Sequence, residues 1–205
     1  MWDSILVVAC LAVCLVAAGI WRRRRAPKCP PLGIVLLLSR TMPLEASTLA
    51  AVFSTTTGTP FQVIPPSADR GLSPADVPDG NAVLGDSPSF LVSAEKDLFL
   101  VNTVGKPYTV DLKAANYEIE SAHLATILKD HQAWLSVEIL HPEAVSSANY
   151  RRVGQVCAKL LGAECLALLH PESRQVVSVV PFDTVQKLRT PHPINAVFGV
   201  AFGRS

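Results

Sequence analysis

The sequence predicts an α+β fold behind a membrane-spanning helix: a mainly antiparallel sheet with helices on one face, of the ferredoxin-like split β-α-β type. Three observations carry that expectation. An unbroken apolar run opens the chain and ends in four arginines. The rest alternates strand-length apolar runs with helical patterns. Two pairs of those runs flank polar turns, as hairpins do. The expected organisation is an anchor at 1–21, a basic and proline-rich linker at 22–33, and an α+β domain at 34–205 with a long loop at 65–88.

From Ile5 to Ile20, ILVVACLAVCLVAAGI holds no charge and no proline. As a helix it rises about 24 Å. Trp2 to Trp21 spans about 28 Å, close to the ~30 Å hydrocarbon thickness. Tryptophan at both ends suits the two headgroup boundaries. A cleaved secretory signal carries its cations before the apolar run, whereas here Asp3 precedes it and Arg22, Arg23, Arg24 and Arg25 follow. A lipoprotein box at VVAC lacks sufficient apolar sequence ahead of Cys10, and a buried core helix rarely ends in four arginines.

Cations beside a span stay on the cytoplasmic side. The expectation is therefore a single-pass protein of the cell membrane, N-terminus outside and the domain cytoplasmic. The arginines also attract anionic headgroups, at about 1 kcal/mol each. Cys10, Cys14 and Ala18 share one helical face, as small residues do in transmembrane homodimers, although alanine-rich anchors produce such spacing by chance.

APKCPPLG then breaks the helix, since proline lacks a backbone donor and restricts its predecessor. GIVLLLSR is a strand, Pro43 to Thr57 a helix stopped by Gly58, and PFQVIPP a second strand. Residues 65–88 are rich in proline and without periodicity, which reads as a surface excursion, a lid or a docking loop. FLVSAEKDLFLVN is a hairpin, and Asn116 to Gln132 a helix bearing Tyr117, Leu124, Ile127, Leu128 and His131 on one face. AWLSVEIL alternates, with Leu135, Val137 and Ile139 on one side and Trp134, Ser136 and Glu138 on the other. A helix from Pro142 to Leu161, strands at ECLALLHP and QVVSVVPF, and a short helix at FDTVQKLR complete the order β-α-β-β-β-α-β-α-β-β-α.

The net charge of +1 conceals an asymmetry. Removing Asp3, the four arginines and Lys28 leaves 13 basic against 16 acidic residues. A mildly acidic body without a basic run argues against nucleic acid as a partner.

FLVNTVGKPY, DHQAWLSVEIL, YRRVGQVCAKLLGAECLALL and HPES resemble an uncharacterised bacterial domain family, a domain of unknown function. The AWLSV and CLAL strands carry the resemblance, over roughly residues 33–190. It implies a fold and no activity.

No phosphate loop, nucleophile elbow or zinc-type cysteine pair is present, so no cofactor or metal is expected. Cys157 and Cys165 read as core residues and free thiols. Glu120 and His123 form an i,i+3 pair without the partners that a di-iron site needs. His131 reads as a core histidine, and His192, between two prolines, as turn material. The remaining constellation is the sheet face of Trp134, Ser136 and Glu138 next to His131. It is a surface for a ligand or an unidentified protein partner, unless the long loop or the C-terminal INAVFGVAFG covers it. Two functions stay open: a membrane-anchored interaction or regulatory module, and a membrane-tethered enzyme built on His131, Ser136 and Glu138.

Overall fold

The computed structural model describes residues 32–65, 80–109, 111–140 and 147–200. The expected anchor, its arginines and its Cys10–Cys14–Ala18 face lie outside them. Among the described residues, no helix is long and apolar enough to cross a membrane.

The elements are β1 (Leu32–Leu38), α1 (Ala46–Thr57), β2 (Gln62–Ile64), β3 (Ala82–Asp86), β4 (Ser89–Ala94), β5 (Asp97–Val104), β6 (Glu118–Ile119) and α2 (Ala122–Ile127). A 3-10 turn at Leu128–Asp130 continues α2. Then come β7 (Ala133–Leu140), α3 (Ser147–Leu160), β8 (Cys165–His170), β9 (Gln175–Ser178), α4 (Pro181–Leu188) and α5 (Pro193–Phe198). The strands form one nine-stranded sheet in the order β2-β3-β4-β5-β7-β1-β8-β9-β6.

This order overturns the ferredoxin-like expectation. A split β-α-β core needs its first strand parallel to a neighbour. Here β1 is antiparallel to both β7 and β8. Among the described strands, only the outermost pairs, β2 with β3 and β6 with β9, run parallel, which makes the sheet mixed. Both faces of β1 are covered, and all seven of its residues are buried. That is why GIVLLL reads as a continuous apolar run rather than an alternating one.

Helices on one face also needs correction. The main core joins Ile34, Leu36, Leu135, Val137 and Ile139 to α1, α3, α4 and α5. A smaller cluster on the opposite face joins Val35, Leu37 and Leu169 to Leu124 and Leu128 of α2 and its 3-10 extension. The C-terminal Ile194 and Phe198 pack into the main core, so they do not cover the Trp134 face.

Two element assignments change for local reasons. The long helix from Asn116 shrinks to α2. Asp111 Oδ1 accepts hydrogen bonds from the N–H groups of Lys113 and Ala114, Asn116 takes a positive φ of 60°, and Ser121 caps the helix through Leu124 N–H. These side-chain bonds compete with the helical ladder. Part of the expected 65–88 loop is β3, flanked by β2 and β4; residues 66–79 lie outside the described residues.

Gly154 marks the tightest helix contact. A Cβ there would sit 2.5 Å from the Leu188 carbonyl oxygen and 3.0 Å from Pro193 Cβ. Helix propensity alone favours Gly154→Ala by about 1 kcal/mol. Overpacking costs about 1–3 kcal/mol, and a backbone oxygen cannot rotate away. The variant is therefore expected to melt below wild type in a thermal scan; a rise would show that α3 can withdraw from the α4–α5 connection.

Candidate functional site

The β7 pleat places Trp134, Ser136 and Glu138 on one face, as their alternation requires. The sheet register supplies their neighbours. Ser136 lies opposite Asn102 of β5 on one side and Val35 of β1 on the other, and Asn102 lies opposite Ser89 of β4. Ser89 Oγ donates to Asn102 Oδ1 at 2.8 Å, and Asn102 Nδ2 donates to Ser136 Oγ at 3.3 Å. One polar row thus crosses three strands, and Ser136 is only 1% exposed within it. Glu138 is opposite Gly33, where an added Cβ would meet Glu138 Cγ at 2.6 Å. The missing side chain on β1 makes room for the Glu138 stem.

The segment before β7 returns over this face. Tyr108 meets Trp134 edge to face, with centroids 5.4 Å apart at 88°, and Tyr117 lies 6.4 Å from Tyr108. Burial, a hydrogen bond to Tyr117 and the nearby charges of Tyr117 and Glu138 all push the Tyr108 hydroxyl above the ordinary phenol range. Tyr108 is therefore a neutral donor at any physiological pH.

His131 is 5% exposed. Its Nε2 accepts from Tyr108 N–H at 3.1 Å, and its Nδ1 bonds the Leu128 carbonyl. The carbonyl can only accept, so Nδ1 carries the proton and Nε2 offers its lone pair. Both nitrogens bond backbone groups, and neither bonds Ser136, whose Oγ accepts from Asn102 instead. The structure brings His131 to the Trp134 side through Tyr108, but as a strut and not as a base.

Beside His131 lies a cavity of about 360 Å³, lined by Leu112, Ile119 and Leu128 together with Lys113 and Lys129. Leu112 and Leu128 are buried and both lysines exposed. That volume is at the lower end of small-molecule sites. Asp111 joins the two lysines at the rim, so an apolar floor lies under a rim of mixed charge that suits a small molecule with an apolar body and a polar end.

The other sequence candidates separate. Glu120 precedes α2 and does not pair with the exposed His123. Its Oε2 accepts from both Ser178 Oγ and Ser178 N–H. Those bonds hold its carboxyl below the usual range. Cys157 and Cys165 are buried free thiols in the main core. Burial raises both, Cys165 to about 12. His192 stands at the N-terminus of α5. Among the described residues, no three metal-binding side chains converge.

The sequence reading missed Tyr108 and Asn102, and it set Tyr117 on a helical face although Tyr117 precedes α2 and lies beside Tyr108. Alternation along β5 was a usable signal for Asn102. Both tyrosines sit in irregular chain, so the helical periodicity that took in Tyr117 does not describe it and none marks Tyr108. No family model, curated protein or solved structure matches this chain.

Proposed function

We propose that the chain is a single-pass membrane protein whose α+β domain is a cytoplasmic binding module, taking its ligand or partner on the Trp134–Glu138 face and the adjoining cavity. The observation that carries this is the apolar run from Ile5 to Ile20, closed by Trp21 and Arg22–Arg25. The domain's second-face chemistry favours binding over catalysis: neutral donors, aromatic edges and a histidine with both nitrogens engaged. Ten residues separate Trp21 from Leu32, the first residue of the central strand. Fully extended they reach at most about 36 Å, so the module works close to the bilayer.

Full-length protein with a C-terminal tag is expected to resist alkaline extraction of membranes. The tag is expected to survive protease added to intact spheroplasts and to be cut in inverted vesicles. Replacing Arg22–Arg25 with alanine is expected to give mixed orientation. A tag digested from outside, or protein in the soluble fraction, would sink the proposal.

A further inference from the structure

A second cluster, at the turn between β8 and β9, has the parts of a nucleophilic site. β8 and β9 are joined by residues 171–174, with His170 paired to Gln175 across the ladder. Arg174 takes a φ of 55° and its N–H reaches the Pro171 carbonyl, closing the turn. The turn folds its own side chains back onto His170, which is 3% exposed.

The hydrogen bonds assign the imidazole. Ser173 N–H points at His170 Nδ1 from 3.3 Å, and a backbone N–H can only donate. Nδ1 therefore presents a lone pair. Ser173 Oγ lies 2.7 Å from that same nitrogen, against 3.4 Å to its alternative acceptor, Gln175 Oε1. The ring proton then resides on Nε2, 2.6 Å from Glu172 Oε2. Tyr150 of α3 donates its hydroxyl to the same carboxylate oxygen and lies 2.8 Å from Nε2. The rings of Tyr150 and Phe198 pack on the imidazole at 5.2 and 5.3 Å, which fixes its plane. Hydroxyl, imidazole and carboxylate are thus linked in the order that activates a serine.

We propose that Ser173 is an activated nucleophile, with His170 as its base and Glu172 as the carboxylate that stabilises the imidazolium, and that this hairpin turn cleaves activated esters. Ser173 Oγ attacks the ester carbonyl carbon while its proton passes to Nδ1. The carbon–oxygen bond to the leaving group breaks, and Nδ1 returns the proton to that oxygen, releasing the alcohol. Water then attacks acyl-Ser173 with Nδ1 again taking and returning a proton, which frees the carboxylic acid and restores the serine. General-base assistance contributes about 10²–10⁴-fold, which suits aryl esters and not peptides. Ser173 is partly exposed and Glu172 has a 31% exposed side chain, so the nucleophile is reachable from solvent. Tyr150 is a positioning residue.

The test is labelling of the full-length protein in nanodiscs with a fluorophosphonate probe, read by peptide mass spectrometry. The phosphorus becomes bonded to Ser173 Oγ and fluoride leaves. A single adduct at Ser173 is expected, absent after unfolding in urea and absent from Ser173→Ala. Glu172→Gln, which keeps the side chain's size, is expected to label at least about tenfold more slowly. A melting temperature for each variant reports whether the turn survives. A 4-nitrophenyl acetate burst should follow the same order. Labelling of Ser173 no faster than in unfolded protein, an adduct at another residue, or an unchanged rate in folded Glu172→Gln overturns the proposal.

Discussion

Phe53→Ala is expected to destabilise the protein by about 3–5 kcal/mol, the range for emptying a buried aromatic site. Phe53 is 1% exposed on α1 and meets Phe99 of β5 edge to face at 5.0 Å, with Phe61 at 5.7 Å. Phe53 is the largest of the three side chains, with Leu49 and Ala50, that α1 buries in the main core. The last turn of α1 is Thr55-Thr56-Thr57, and each hydroxyl bonds back to a carbonyl of the preceding turn. Such residues are mediocre helix formers, so α1 depends on its packing. Against a typical total of about 5–15 kcal/mol, the loss brings the domain close to unfolding at 37 °C. The control is Phe182→Ala on α4, where the ring is 79% exposed. That change is expected to stay within about 0.5 kcal/mol. Thermal scans by far-UV circular dichroism on full-length protein compare the two. Equal shifts would mean that α1 does not rest on β5 as described.

The same contrast separates what the sequence could disclose from what it could not. Strands with one covered face were legible because their alternation is intrinsic: Leu135, Val137 and Ile139 enter the main core as their spacing required. The apolar run of β1 was legible as a strand, but the expectation of helices on one face missed its cover on both sides, and the run does not tell which strands lie beside it. Neighbour choice depends on residues far along the chain, and β1 meets β7 and β8 with opposite polarity to the split β-α-β guess. β3 escaped because its apolar stretch, Ala82–Leu84, is three residues long and ends at Gly85, whose φ is 108°. Two neighbouring strands hold it as a strand. Around α2 the amphipathic wheel was real, since Leu124 and Leu128 are buried. Local bonds from Asp111 and Ser121 nevertheless set where helix begins.

The candidate faces follow the same rule. Trp134, Ser136 and Glu138 could be placed together from one strand's alternation. That Ser136 is bonded inside a polar row, and that Trp134 lies under Tyr108, required the register of β5 and the placing of Tyr108 by His131. In the hairpin, HPES puts histidine, carboxylate and serine within four residues. Its fourth member, Tyr150, comes from α3, twenty residues earlier.

His131→Ala is the second large effect, and it tests whether the histidine is a strut. The substitution leaves the part-buried Tyr108 N–H without its partner and takes one of two donors from the Leu128 carbonyl, which keeps the backbone N–H of residue 131. Each buried unpaired group costs about 1–3 kcal/mol. Because His131 lines the cavity, water can enter and replace part of what is lost. The expected net destabilisation is therefore about 1–3 kcal/mol, the range for one unpaired group. The effect should be local in origin. Tyr108 carries the ring that rests on Trp134, so amide exchange at Tyr108 is expected to accelerate by at least about tenfold, with smaller changes in β1 and β8. His131→Asn, which retains a donor and an acceptor on a shorter stem, should recover part of the melting temperature. A variant with unchanged exchange at Tyr108 would detach His131 from the segment it is argued to hold, and would reopen its ring nitrogens to a role in proton transfer.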